Sequence, residues 1–182
     1  MKRIATFLIA VAIVGSLALV EPVAAQSPNE STIEMAIDAT DLPRKLLSAK
    51  LTIPVDPAAL SENGELSLWY PKWVPGTHGP GGPIANVAGM KISDPSGERL
   101  EWHRGVGEFY RMTVNVPKGT TTVQVDIRYI TNQPTTSSMG IDSFGSVLLG
   151  FVSAGTVMLY PDGVDIDPVS YTHLTLPTIC SV

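Results

Sequence analysis

The chain has 182 residues, 17 acidic against 12 basic, and a formal net charge of −5, with 44% hydrophobic residues. That balance excludes a protein built to bind nucleic acid by a basic surface, and the apolar share is enough for a real core. The single cysteine, Cys180, excludes an internal disulfide framework, so stability must come from packing.

The first element is not part of the fold. Lys2 and Arg3 precede an almost wholly apolar run from Ile4 to Val20, and Val23-Ala24-Ala25 supplies the small residues of a cleavage site. Residues 1–25 therefore read as a secretory signal peptide, which predicts an exported protein, periplasmic or extracellular, that is not membrane-bound after cleavage. An uncleaved anchor is the alternative, because the apolar run approaches spanning length. Residues 26–31 form a polar linker; Asn29-Glu30-Ser31 is a formal glycosylation sequon, relevant only in a eukaryotic secretory pathway.

From residue 32 the pattern is β. Ile33, Met35 and Ile37 alternate with polar residues, and so do Leu47, Ala49, Leu51, Ile53 and Val55. Asn63-Gly64 marks a turn before a third strand with Leu66, Leu68 and Tyr70 on one face. Asp94-Pro95-Ser96-Gly97 suits a type I turn inside a hairpin. Tyr110, Met112, Val114 and Val116 then share a face, and Val123, Val125, Ile127 and Tyr129 share another. A loop from Asn132 to Asp142 follows. The stretch Ser143 to Gly155 fits either a short helix or a buried strand, and "TVMLYPDG" reads as a further strand. The expected fold is all-β, an antiparallel sandwich or saddle-shaped sheet over residues 32–169.

One stretch breaks this regularity. In "WYPKWVPGTHGPGGP", Trp69 to Pro83, four prolines fix φ and four glycines permit conformations closed to other residues. Proline lacks a ladder donor, so the stretch cannot be a central strand and should be an ordered loop. Trp73 is expected to pin that loop to the sandwich. Trp73, Pro75, Gly76, Thr77, His78, Gly79, Pro80, Gly82 and Pro83 are the candidate interdomain or cleft-facing residues. The bland reading is that the loop only caps its own sheet.

Reactive motifs are sparse. His78, His103 and His173 are the three histidines, and the chain has no H-E-x-x-H and no zinc-ligand cluster. Asp162, Asp165 and Asp167 miss the calcium-loop spacing and read as a solvated turn. No G-x-S-x-G elbow and no phosphate-binding glycine loop occurs. Tyr70, Trp102 and Tyr110 fall in strand patterns and read as core or core-edge aromatics. The expectation is a non-enzymatic chain with no catalytic, metal or cofactor residue of its own.

The residues from Leu66 to Arg104 carry a resemblance. Trp73-x-Pro75-Gly76, His78-Gly79-Pro80, Gly82-Pro83-Ile84, Ala88-Gly89, Gly97 and Trp102 with Arg104 resemble the N-terminal domain of the glycyl aminopeptidase family of zinc metallopeptidases, relatives of the tricorn-interacting aminopeptidases. "LYPDG" near residue 160 is similar to a Leu-Tyr-Pro-x-Gly step late in that domain, so the likeness spans roughly Ile33 to Val169. The Trp-x-Pro-Gly block is fairly specific to the family; the strand patterns are not. The resemblance implies an all-β domain ahead of a thermolysin-like catalytic domain that carries the zinc helix and is often followed by a PDZ-type module. It implies that the domain's partner is that catalytic domain, with peptide substrate reached only through the full-length protein, and it carries no catalytic residue onto this sequence. A free-standing exported β-sandwich that binds a polymer, peptide or cell-surface component is the alternative. Finally, "SYTHLTLPTICSV", residues 170–182, resembles translated sequencing-adapter read-through. It is expected to be a non-native tail, disordered or loosely attached, on a truncated chain; Leu174 and Leu176 alternating with threonines allow a genuine last strand instead.

Overall fold

A computed structural model describes residues 32–74, 78–132, 142–163 and the backbone of strand 170–175. The strands, in chain order, are β1 (Glu34–Asp38), β2 (Leu46–Pro54), β3 (Glu65–Trp69), β4 (Val87–Ser93), β5 (Arg99–Leu100), β6 (Trp102–Arg104), β7 (Arg111–Asn115), β8 (Thr122–Ile130), β9 (Phe144–Gly145), β10 (Gly150–Phe151), β11 (Tyr160–Pro161) and β12 (Ser170–Thr175). They form a six-stranded sheet in the order β12-β1-β2-β8-β4-β5, a four-stranded sheet in the order β11-β3-β7-β6, and the small β9–β10 hairpin. The fold is all-β and, apart from the parallel β1–β12 pair, its strand ladders are antiparallel among the described residues.

The alternation read from the sequence sets the register. Leu47, Ala49, Leu51 and Ile53 of β2 face Tyr129, Ile127, Val125 and Val123 of β8 across the long central ladder. Leu66 and Leu68 of β3 stand opposite Val114 and Met112 of β7. These side chains are buried and belong to one apolar cluster that joins the inner faces of both sheets. Because side chains alternate with period two, a one-residue slip in either ladder would turn that face to water. The hairpin at Asp94 is as expected: the Asp94 carboxylate accepts from Ser96 N at 2.9 Å and Glu98 N at 3.0 Å, and Gly97 takes φ +90°.

Three expectations are corrected. Ser143 to Gly155 is neither helix nor a single buried strand; it holds the β9–β10 hairpin and then the start of a 3-10 turn, Ala154–Val157. "TVMLYPDG" yields only the two-residue β11, because Thr156 and Val157 are taken up by that turn. Ser170–Thr175 is not loosely attached: it pairs in parallel with the edge strand β1, from Glu34↔Ser170 to Asp38↔Thr175. The open backbone groups of β1 are a ready template for such a strand. The residues expected to form a signal peptide and a linker with its sequon, the expected loop at 133–141, residues 164–169 with Asp165 and Asp167, and residues 176–182 lie outside the described residues.

Candidate functional site

Strand β3 delivers the chain into the Trp/Pro/Gly loop. Its inward parity continues to Tyr70, which is fully buried and donates its hydroxyl to Thr156 O at 3.0 Å. Tyr70 N bonds Tyr110 O at 2.8 Å, and the two rings lie 6.4 Å apart. The loop then closes on itself. The Lys72 carbonyl accepts from Gly81 N at 3.0 Å and Gly82 N at 3.1 Å. The Tyr110 hydroxyl donates to Gly82 O at 3.0 Å, fixing the returning limb to the start of β7. Only glycine fits at 82: a Cβ there would stand 1.9 Å from Pro71 O.

Outside this throat the Lys72 ammonium meets Glu108 at 2.6 Å and lies 5.7 Å from the Tyr110 ring centroid. The Lys72 hydrogen bond holds the Glu108 carboxyl below the usual glutamate range. Its contribution to stability is therefore present above the ordinary value of about 4.3 and is lost as pH falls through the lowered one. The stability difference between the wild type and Glu108→Gln, read from thermal melts, should shrink as pH drops from about 6 to about 3. A constant difference would mean the ion pair contributes nothing to the fold.

Trp73 does not pin the loop. It is 66% exposed, beyond the throat, where no ladder carries it back to the core. The interior place at the end of β3 is filled by Tyr70, and Tyr110 does the clamping. His78 and Pro80 are exposed, Gly79 and Pro83 are half-buried, and Gly82 is buried. Pro75, Gly76 and Thr77 lie outside the described residues. The loop thus has a fixed base and an outward rim of Trp73, His78 and Pro80.

A buried polar cluster ties the loop's exit to the second half of the chain. Asn86 donates to Tyr129 Oη at 3.2 Å, and Tyr129 donates to the buried Asp142 carboxylate, which also accepts from the Asn132 amide. Burial, and then the hydrogen bond to Asp142, raises the Tyr129 pKa far above the ordinary tyrosine value; burial does the same for Tyr70. Both phenols stay protonated donors. Ser143 Oγ and Thr156 Oγ1 lie 2.7 Å apart beneath them. These groups satisfy one another, which makes the cluster a fastening rather than a reactive centre.

Tyr70 is buried, and Trp102 and Tyr110 pack half-buried against the core, as their strand patterns suggested. His78 and His103 are exposed on separate elements, and among the described residues no three His, Cys, Asp or Glu side chains converge on a point. A shallow groove of about 430 Å³ crosses the outer face of the six-stranded sheet. Its charges are interleaved: Asp126 stands opposite both Lys50 and Lys91, as on an ordinary solvated face. The β9–β10 hairpin went unrecognised in the sequence; its signal was the mirrored Phe144-Gly145 and Gly150-Phe151, which pair directly.

Fold and loop together define a two-sheet β-domain with a loop that is closed at its base and exposed at its described rim. The family model for the peptidase M61 N-terminal domain matches residues 34–182, and the chain belongs to that family. By that description it is a peptidase-family N-terminal domain, the kind of domain that the Trp73 to Pro83 block indicated. No curated protein matches the chain significantly. Among solved structures it is similar to an aminopeptidase N family protein from Idiomarina loihiensis, with 20% identity and a TM-score of 0.63 over 80% of this chain and 22% of that one. That likeness is one of fold, and the chain spans about a fifth of that protein's length. A fainter likeness is to an M1 zinc metallopeptidase from Deinococcus radiodurans solved with a Tyr-Ser-Ala substrate, at 13% identity, a TM-score of 0.42, and 81% and 32% coverage; it is too distant to bear on the fold.

Proposed function

We propose that this domain is the non-catalytic N-terminal part of an exported zinc aminopeptidase, and that its Trp73 to Pro83 loop frames the substrate cleft of a thermolysin-like domain following it. The observation that carries this reading is the loop itself: a throat locked by Lys72 O, Gly82 and Tyr110, with Trp73 and His78 held outward. A base that is already closed in the isolated domain lowers the entropic cost of docking. Among the described residues no three His, Cys, Asp or Glu side chains converge; in this reading the following domain holds the zinc, which would supply Lewis-acid chemistry and an activated water there. This domain's own part is positional.

The test uses the complete polypeptide. A Cβ at Gly79 meets no atom within 4 Å, so Gly79→Val alters the outward rim without disturbing the base. Gly79→Val and His78→Trp should each lower kcat/KM for a peptide substrate by about 10-fold or more, since misplacement of about 1 Å near a reacting centre can cost 10²-fold. Melting of the 182-residue chain should be unchanged. Wild-type activity in both variants would leave the loop as a cap on its own sheet. A natural gene that ends with this domain would instead favour the free-standing binding module.

A further inference from the structure

The large apolar side chains exposed among the described residues gather at one end of the domain. Strands β3 and β8 finish at this end, and β2, β4 and β7 begin there. The two sheets meet through Tyr70, Thr156, Ser143 and the neighbouring Asp142–Tyr129 contact. Trp73, Val106 and Phe109 flank the Lys72–Glu108 ion pair at this end, at 66%, 104% and 64% exposure. The opposite end carries the turns at Asp56, Ser61, Asp94 and Pro117, and none of those turns exposes a large apolar side chain.

The most prominent apolar group at this end is the tip of the β9–β10 hairpin. Val147, Leu148 and Leu149 are 78%, 93% and 63% exposed, yet the hairpin is firmly built. The Phe144 and Phe151 rings stack at 5.4 Å. Ser146 Oγ accepts from Leu148 N at 3.3 Å and Leu149 N at 3.1 Å, and Ser146 N bonds Leu149 O at 2.8 Å. The Lys45 ammonium donates to Gly145 O. Gly145 and Gly150 lie so close to Leu42 that a Cβ at either would come within 3.0 Å of it. An ordered hairpin that offers three aliphatic side chains to water has the form of a preorganised apolar anchor.

We propose that this hairpin is a docking finger whose Val147, Leu148 and Leu149 insert into an apolar pocket on the domain that follows in the same polypeptide, with Phe109 and Trp73 as flanking contacts. The inference rests on the reading of this chain as an N-terminal domain. That occupant is chosen for two reasons. The family is by description an N-terminal domain, and in the Idiomarina loihiensis protein the shared fold takes up only 22% of the chain. The finger also lies at the same end as the rim of the Trp73 to Pro83 loop.

The test is made on the complete polypeptide, cut at an engineered protease site between this domain and the next and then run on a sizing column. The wild-type pieces should co-elute. Leu148→Asp combined with Leu149→Asp should weaken their association by at least about 30-fold, the range of an interface hot spot, and separate them. Lys118→Glu, at the opposite end, should not. Both leucines are exposed, so the double variant keeps its fold; circular dichroism checks this. Co-elution of the double variant overturns the proposal, as does separation of the wild-type pieces. Two other outcomes also overturn it: dimerisation of the 182-residue chain that the double variant abolishes, or binding to phosphatidylcholine vesicles that it abolishes. Full activity of Gly79→Val alongside finger-dependent co-elution would sink the cleft reading and keep this one.

Discussion

Replacing Tyr70 by alanine is expected to lower stability by about 3–5 kcal/mol, the range for deleting a large buried aromatic side chain. The same change at Trp73 should stay within about 0.5 kcal/mol. Tyr70 is fully buried, contacts the Tyr110 ring and satisfies the Thr156 carbonyl; Trp73 is 66% exposed. For a domain of this size each kcal/mol moves Tm by about 2–4 °C, so thermal melts would separate the two variants by on the order of 10 °C. Equal losses in both would show that Trp73 anchors the loop after all.

Gly82→Ala is expected to open the Trp/Pro/Gly loop at its base. The new methyl would have to occupy space 1.9 Å from a backbone oxygen, which no rotamer relieves. The limb must move, and with it go the bonds from Gly81 N and Gly82 N to Lys72 O and from the Tyr110 hydroxyl to Gly82 O. Overpacking of this kind costs about 1–3 kcal/mol and sometimes more. Gly79→Ala, with open space around it, should change stability by no more than about 0.5 kcal/mol. Melting curves and limited proteolysis within residues 72–82 give the comparison. A Gly82→Ala variant as stable and as protease-resistant as the wild type would mean that the throat is not closed as described.

The core was legible because it rests on local periodicity. Leu47 to Ile53, Leu66 to Tyr70 and Val123 to Tyr129 alternate strictly, and each alternation reappears as a buried face. The loop was legible as a place, since proline and glycine exclude a ladder there, but its anchor was not. Two tryptophans drew attention as the largest apolar groups. Which aromatic is buried depends on strand parity and on Tyr110 reaching across from another part of the chain, and neither is visible in the loop's own residues. The β9–β10 hairpin was obscured for a different reason: with strands of only two residues, no periodic signal can build up.

By itself the sequence determined an all-β domain, the pairing faces of its long strands and the family to which it belongs. Those properties follow from alternation at nearest-neighbour range and from a run of prolines and glycines whose backbone options are few. The tertiary structure alone decided that Tyr70 and Tyr110, not Trp73, hold the loop, and that Gly82 must lack a side chain. It also decided that the exposed apolar groups converge at one end. These facts depend on contacts between residues dozens of positions apart, such as Tyr70 with Thr156 and Lys72 with Glu108. Only the packing of the two sheets brings them into reach.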